Sequence, residues 1–269
     1  MKKDMKIRIW GLFETLAFCG IYYTATYIAR FLMYLFYAVY FAVSSYINHE
    51  IFHGERFIEE LNQVISASRV ELIIVADVLM IVFCAIVIYA RGGKFKKYMG
   101  LERPHILQIL GALVAGAAIW YVSINVLSDL LAGSSALDNY GRHVGQLNMA
   151  HPLVTFALTV LVAPVTEELM FRGALFNSIT RFLNKPIAVI ITSLIFAIAH
   201  IDPVQMAYAF VLGVMLSLIR AETGKIYPCI ALHFTFNLMN YFIEGYLMPL
   251  WLAIALCAIG YGLTLYKKA

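Results

Sequence analysis

The sequence has little charge. Only 13% of its 269 residues are Asp, Glu, Lys or Arg, while 62% are hydrophobic. Soluble domains run nearer about 45–50% apolar and about 25% charged, so a globular enzyme with a large core is excluded. A nucleic-acid partner is not expected either. Cysteine is also sparse: Cys19, Cys84, Cys229 and Cys257 lie apart in apolar runs. No CxxC pair occurs, which excludes a disulfide framework and a zinc ribbon. Compact HExxH zinc spacing is missing as well. There is no internal repeat, no low-complexity tract and no separate soluble domain. The apolar stretch from Ile9 to about Ile47 is too long for the apolar core of a signal peptide, so it is expected to be retained as an anchor.

What is present is a succession of apolar runs. A span needs roughly 20 apolar residues. Eight spans are expected, at about 9–47, 70–90, 104–127, 152–177, 186–200, 203–220, 226–243 and 248–266. Pro104, Pro152, Pro186, Pro203, Pro228 and Pro249 fall at or just inside these starts, where a missing N–H is no loss. The first run fits either one long helix or a hairpin of two. The positive-inside rule favours one helix. With both termini cytoplasmic, the inside then carries Lys2, Lys3, Lys6, Arg8, Arg91, Lys94, Lys96, Lys97, Arg103, Arg181, Lys185, Arg220, Lys225, Lys267 and Lys268. Arg56, Arg69 and Arg142 are left outside. The expectation is an all-α, multi-pass protein of the cell membrane. It divides into N-terminal helices (1–149), a core (150–243) and a last helix (244–269). The segment 48–69 reads as a short surface helix and 128–151 as an external loop.

Charge inside a bilayer costs at least ~2.5–3.5 kcal/mol per group. Residues 166–173, TEELMFRG, nevertheless carry Glu167, Glu168 and Arg172. Glu168 and Arg172 are four apart with the acid first, the better orientation for a helical ion pair. Glu167 points ~100° away, free to face a cavity as a general base. Pro164 leaves one carbonyl without its donor, Val160 in an α-register. Two later spans add FAIAH, with Phe196 and His200, and HFTFN, with His233 and Asn237. Each pair shares a helix face. From the cytoplasmic ends, Glu167, His200 and His233 lie at ~15, ~20 and ~10 Å, in one band. An Asn237 amide at that depth can donate to an oxyanion.

Each feature has a plainer reading. A lone intramembrane histidine often just bonds a neighbouring helix, and Phe196 reads as packing. Glu14 and Asp77 read as structural, paired with Arg30 or reaching an interface. His49 and His53 beside Glu50 read as a solvated face, and RGGKFKK at 91–97 as a topology signal. The plain reading is hardest to sustain for the six polar residues together.

Those six together with Phe196, as E-E-x-x-x-R, F-x-x-x-H and H-x-x-x-N in order, resemble the intramembrane proteases of the CAAX-protease and bacteriocin-processing type, the CPBP or Abi family. EELMFRG is close to that family's EELLFRG, and the resemblance covers about residues 150–243. It implies eight helices around a cytoplasm-facing cavity and peptide hydrolysis by a glutamate-activated water. By carry-over, Glu167 is the base, His200 positions the water, His233 and Asn237 stabilise the oxyanion, and Glu168 and Arg172 organise the site. The expected substrate is a membrane-associated peptide or protein, of CAAX or of pheromone or bacteriocin type, processed or met in self-immunity. The metal question stays open. Zinc on Glu167, His200 and His233 would complete a catalytic set with water, and the metal-free mechanism is preferred. Oligomeric state is not legible. Two other classes compete. A proton-coupled transporter would more often show repeated halves, and a non-catalytic membrane regulator would tolerate Glu167→Gln.

Overall fold

The computed structural model describes residues 2–48, 54–150, 152–200, 202–241 and 248–267. The expected His49, Glu50 and His53 cluster lies outside these. Among the described residues there is no strand. Eleven helices follow one another: α1 (Lys2–Ile47), α2 (Gly54–Ala67), α3 (Arg69–Ala90), α4 (Phe95–Met99), α5 (Ile106–Leu130), α6 (Ser135–Ala150), α7 (Pro152–Ile179), α8 (Lys185–Ile198), α9 (Pro203–Thr223), α10 (Tyr227–Met239) and α11 (Leu250–Thr264).

The first apolar run is one helix, not a hairpin. At ~1.5 Å per residue its 46 residues extend far past a bilayer core of ~30 Å. Its first half packs on α7, where the Thr15 and Ser178 hydroxyls pair at 2.8 Å. Its second half packs on α2, through Met33, Leu61 and Ile65. The expected surface helix at 48–69 is therefore present as α2. The expected loop at 128–151 is instead mostly α6. Gly133, at φ +74°, turns the chain after α5, and a new helix starts at Ser135.

Among the described residues, only α1, α3, α5, α7 and α9 are long and apolar enough to cross a membrane. The spans expected at 186–200, 226–243 and 248–266 form helices of 14, 13 and 15 residues. Side-chain caps set where α8 and the long α9 begin. Asn184 Oδ1 accepts the Ile187 N–H at 3.0 Å to open α8. Asp202 Oδ1 accepts those of Val204 and Gln205 at 2.9 and 3.0 Å to open α9. Both caps precede the prolines that mark these starts in the sequence.

Close approach around α5 relies on small residues, as expected where lipid supplies no hydrophobic drive. A Cβ on Gly111 would lie 2.5 Å from the Gly260 carbonyl oxygen of α11 and 2.6 Å from Leu263 Cβ. One turn on, Gly116 sits against Leu232 and Thr235 of α10.

The basic segments meet at one end of the bundle. Glu14 pairs with Arg91 and, at 3.0 Å, with Arg181, and accepts the Tyr98 hydroxyl at 3.2 Å. Arg220 donates to the Tyr98 carbonyl at 3.3 Å. Lys225 reaches Gln108 at 3.0 Å, and Gln108 donates to the carbonyls of Thr264 and Tyr266. Glu14 therefore pairs with these end arginines rather than with Arg30, which is exposed on α1. Glu14 and Arg30 are ~24 Å apart along α1 at ~1.5 Å per residue, so the cations within reach of Glu14 are those at the bundle end.

Candidate active site

Helix α7 positions the glutamates, and it is not a regular α-helix. Two stretches, Ala157–Val162 and Leu169–Leu175, are π-helical, a form often found at functional sites. In the first, the Ala163 N–H reaches the Leu158 carbonyl, five residues back. The amide that would next reach back belongs to Pro164 and has no hydrogen. The carbonyl left without a backbone donor is therefore Thr159, not the Val160 expected from an α-register. Asn237 Nδ2 donates to that carbonyl at 2.8 Å.

Glu168 is fully buried and holds two partners through one oxygen. Arg172 Nη1 donates to its Oε1 at 3.1 Å, and His233 Nδ1 lies 2.9 Å from the same atom. The i,i+4 pair expected from the sequence is present, but Glu168 also orients His233. A carboxylate only accepts, so Nδ1 carries the proton and Nε2 faces the other way. There Glu167 Oε2 lies 3.9 Å from His233 Nε2. That distance is too long for a direct hydrogen bond and suited to a bridging molecule. Glu167 Oε2 has no hydrogen-bond donor among the described residues.

His200 Nδ1 lies 2.8 Å from the Phe196 carbonyl. A carbonyl oxygen also only accepts, so His200 likewise carries its proton on Nδ1. Phe196 gathers the site. Its fully buried ring meets His200 edge-on at 4.8 Å, His233 at 5.8 Å and the Arg172 guanidinium at 4.3 Å. A cation over an aromatic face is attracted by the ring quadrupole. Arg172 also donates to the Gly213 carbonyl of α9 at 3.2 Å, so its charge is held on three sides.

Sequence reasoning missed three participants. Asp77, set aside as structural, accepts the Thr166 hydroxyl at 3.0 Å, next to Glu167. It does not pair with Arg30. Asp77 and Glu167 both line a cavity of about 350 Å³ between α1, α3 and α7, walled by apolar residues such as Ala25, Ala76, Met80 and Val162. Arg220, assigned to a loop, is buried, and its Nε donates to the Arg172 carbonyl at 3.0 Å. The Tyr241 hydroxyl pairs with Thr159 Oγ1 at 2.8 Å. The signal for Asp77 was its charge in an apolar span. Tyr241 carried none.

Among the described residues, no three His, Cys, Asp or Glu side chains are grouped to hold a metal ion. In both histidines Nδ1 faces an oxygen of the protein, which leaves Nε2 as the nitrogen open to a ligand, an arrangement that zinc-binding histidines share; no step below passes through a metal.

Residues 149–239 match the family described as type II CAAX prenyl endopeptidase Rce1-like. The match covers about a third of the chain. The match is consistent with a CPBP-family intramembrane protease and supports endopeptidase activity in general terms. The matched segment contains all seven motif residues and α7 to α10. An uncharacterized protein of Mycoplasma capricolum subsp. capricolum is 27% identical over 191 residues, covering 66% of this chain and 50% of the relative. The chain thus spans about half the length of the curated relative it matches. No solved structure matches it.

Proposed function

We propose that the protein is an intramembrane endopeptidase that hydrolyses a membrane-associated peptide with a water activated by Glu167. One observation carries this reading: Glu167 Oε2 has no hydrogen-bond donor among the described residues, in a residue that lines a cavity, and it faces His233 Nε2 across 3.9 Å. The scissile carbonyl and the water meet in that gap. Glu167 takes the water proton as the oxygen bonds to the carbonyl carbon. It returns the proton to the leaving nitrogen as the C–N bond breaks. His200, its Nδ1–H tied to Phe196, keeps Nε2 as an acceptor that positions the water. His233 in its imidazolium form turns Nε2–H toward the developing oxyanion while Glu168 holds Nδ1–H. Preorganised donors of this kind act most strongly where water is excluded. Glu168, Arg172 and Arg220 fix the frame.

The N-terminal helices supply one wall of the cavity, which gives residues 1–149 a role in substrate binding. The substrate is a peptide or protein held in or on the cell membrane. CAAX-type chains and pheromone or bacteriocin precursors are the classes to try first, and self-immunity is a second context for the same chemistry. Both termini lie on the cytoplasmic side in this reading, because the basic segments collect at one end.

The test is cleavage of a mass-tagged peptide library by the full chain in lipid, wild type beside Glu167→Gln, with and without a chelator. Cleavage that disappears in the variant supports the reading. Cleavage equal in both removes Glu167 as the base. Cleavage that survives chelation supports chemistry without a metal, and cleavage lost on chelation overturns that part.

A further inference from the structure

Helix α7 must present Glu167 toward His233, and its π-helical turn decides whether it does. One residue added to a helical turn rotates everything after it by about 100°. Without the turn at Ala157–Val162, Glu167 would face a different neighbour. A π turn is costly to hold, and here Pro164 also strips the Thr159 carbonyl of its backbone donor. The compensation comes from the end of α10. Asn237 Nδ2 donates to the Thr159 carbonyl at 2.8 Å, and the Tyr241 hydroxyl pairs with Thr159 Oγ1 at 2.8 Å. The Tyr241 ring packs edge-on against Phe156, centroids 5.0 Å apart. α5 steadies this end in turn, through Trp120 Nε1 donating to Asn240 Oδ1 at 2.7 Å.

We infer that Asn237 and Tyr241 grip Thr159 and hold the π register aiming Glu167, so that both act as positioning residues through α7. One of the two amide hydrogens of Asn237 is committed to the Thr159 carbonyl. The catalytic part of the inference rests on the endopeptidase reading. The coupling between Asn237 and Pro164 does not.

That independence shapes the experiment. Asn237→Leu, Pro164→Ala and the double variant are made in the full chain in lipid nanodiscs, and Tyr241→Phe is made beside them. Thermal unfolding is read first, because it needs no substrate. Asn237→Leu is expected to lower Tm. In the Pro164→Ala background it should lower Tm by less than half as much, because the restored N–H either satisfies a carbonyl itself or lets the turn relax. Equal drops in both backgrounds overturn the grip. Cleavage is read second. Asn237→Leu should lose about 10–100-fold in kcat, as a misplaced catalytic group does, with KM within twofold. In the Pro164→Ala background the same change should cost less than threefold. The same fold loss in both backgrounds would instead make Asn237 a donor to the oxyanion. If Pro164→Ala does not fold, Tyr241→Phe decides. A kcat loss at unchanged KM supports the grip, and an unchanged kcat overturns it. Absence of any Glu167-dependent cleavage removes the endopeptidase reading, while the Tm coupling still decides whether Asn237 grips Thr159.

Discussion

Helices α1 and α3 differ from α7 in how they carry charge. Only 11% of the apolar window of α1 and 17% of that of α3 is buried inside the protein, against 33% for α7. In the outer pair, the buried acid Glu14 sits near a helix end and pairs with Arg91 and Arg181, themselves 30% and 33% exposed. In α7, the inner helix, Glu168 and Arg172 lie mid-span with side chains wholly out of solvent. Burial of an ion pair is weak evidence for stability. The inner charges therefore call for a functional reason, and the outer ones do not. Asp77 is the exception on the outer side, because it reaches the same cavity as Glu167.

That contrast can be broken or sharpened by substitution. Glu167→Gln should show the largest effect, a loss of about 10²–10⁴-fold in cleavage, the usual worth of a general base, with Tm unchanged. A coincident drop in Tm would make Glu167 structural and erase the distinction between the two regions. Arg172→Met removes one member of a wholly buried pair and leaves Glu168 uncompensated. It should destabilise by about 3–5 kcal/mol, read as a shift of the denaturation midpoint. Gly111→Val forces a side chain against the Gly260 carbonyl and Leu263, costing about 1–3 kcal/mol. A wild-type midpoint there would mean that α5 and α11 do not pack as tightly as described. Glu14→Gln should cost least, about 1 kcal/mol or less, because its partners are a third exposed and screened. It should also weaken further as salt is raised in the wild type. A larger loss for Glu14→Gln than for Arg172→Met would invert the comparison.

Much of the site was legible because it repeats at helical spacing. Glu168 and Arg172, Phe196 and His200, and His233 and Asn237 each sit four apart, and side chains at that spacing share a face whatever the helix packs against. Prolines likewise marked where α7, α8, α9 and α10 begin. The span count was less legible. Composition shows that a run is apolar, but the caps at Asn184 and Asp202 decide where a helix of 14 residues starts and how the next is set.

The helical class, the membrane setting and the motif residues of the candidate site were thus legible in the sequence alone, since low charge, apolar run length and i,i+4 spacing act locally along the chain. Only the tertiary structure decided the partners. Glu168 meets His233 65 residues on, Asp77 meets Thr166 89 residues on, and Asn237 meets a carbonyl 78 residues back. The physical reason is that such pairings depend on how helices pack and rotate against one another. A single π-helical turn beside Pro164 changes that rotation, and it leaves no periodic trace in the sequence.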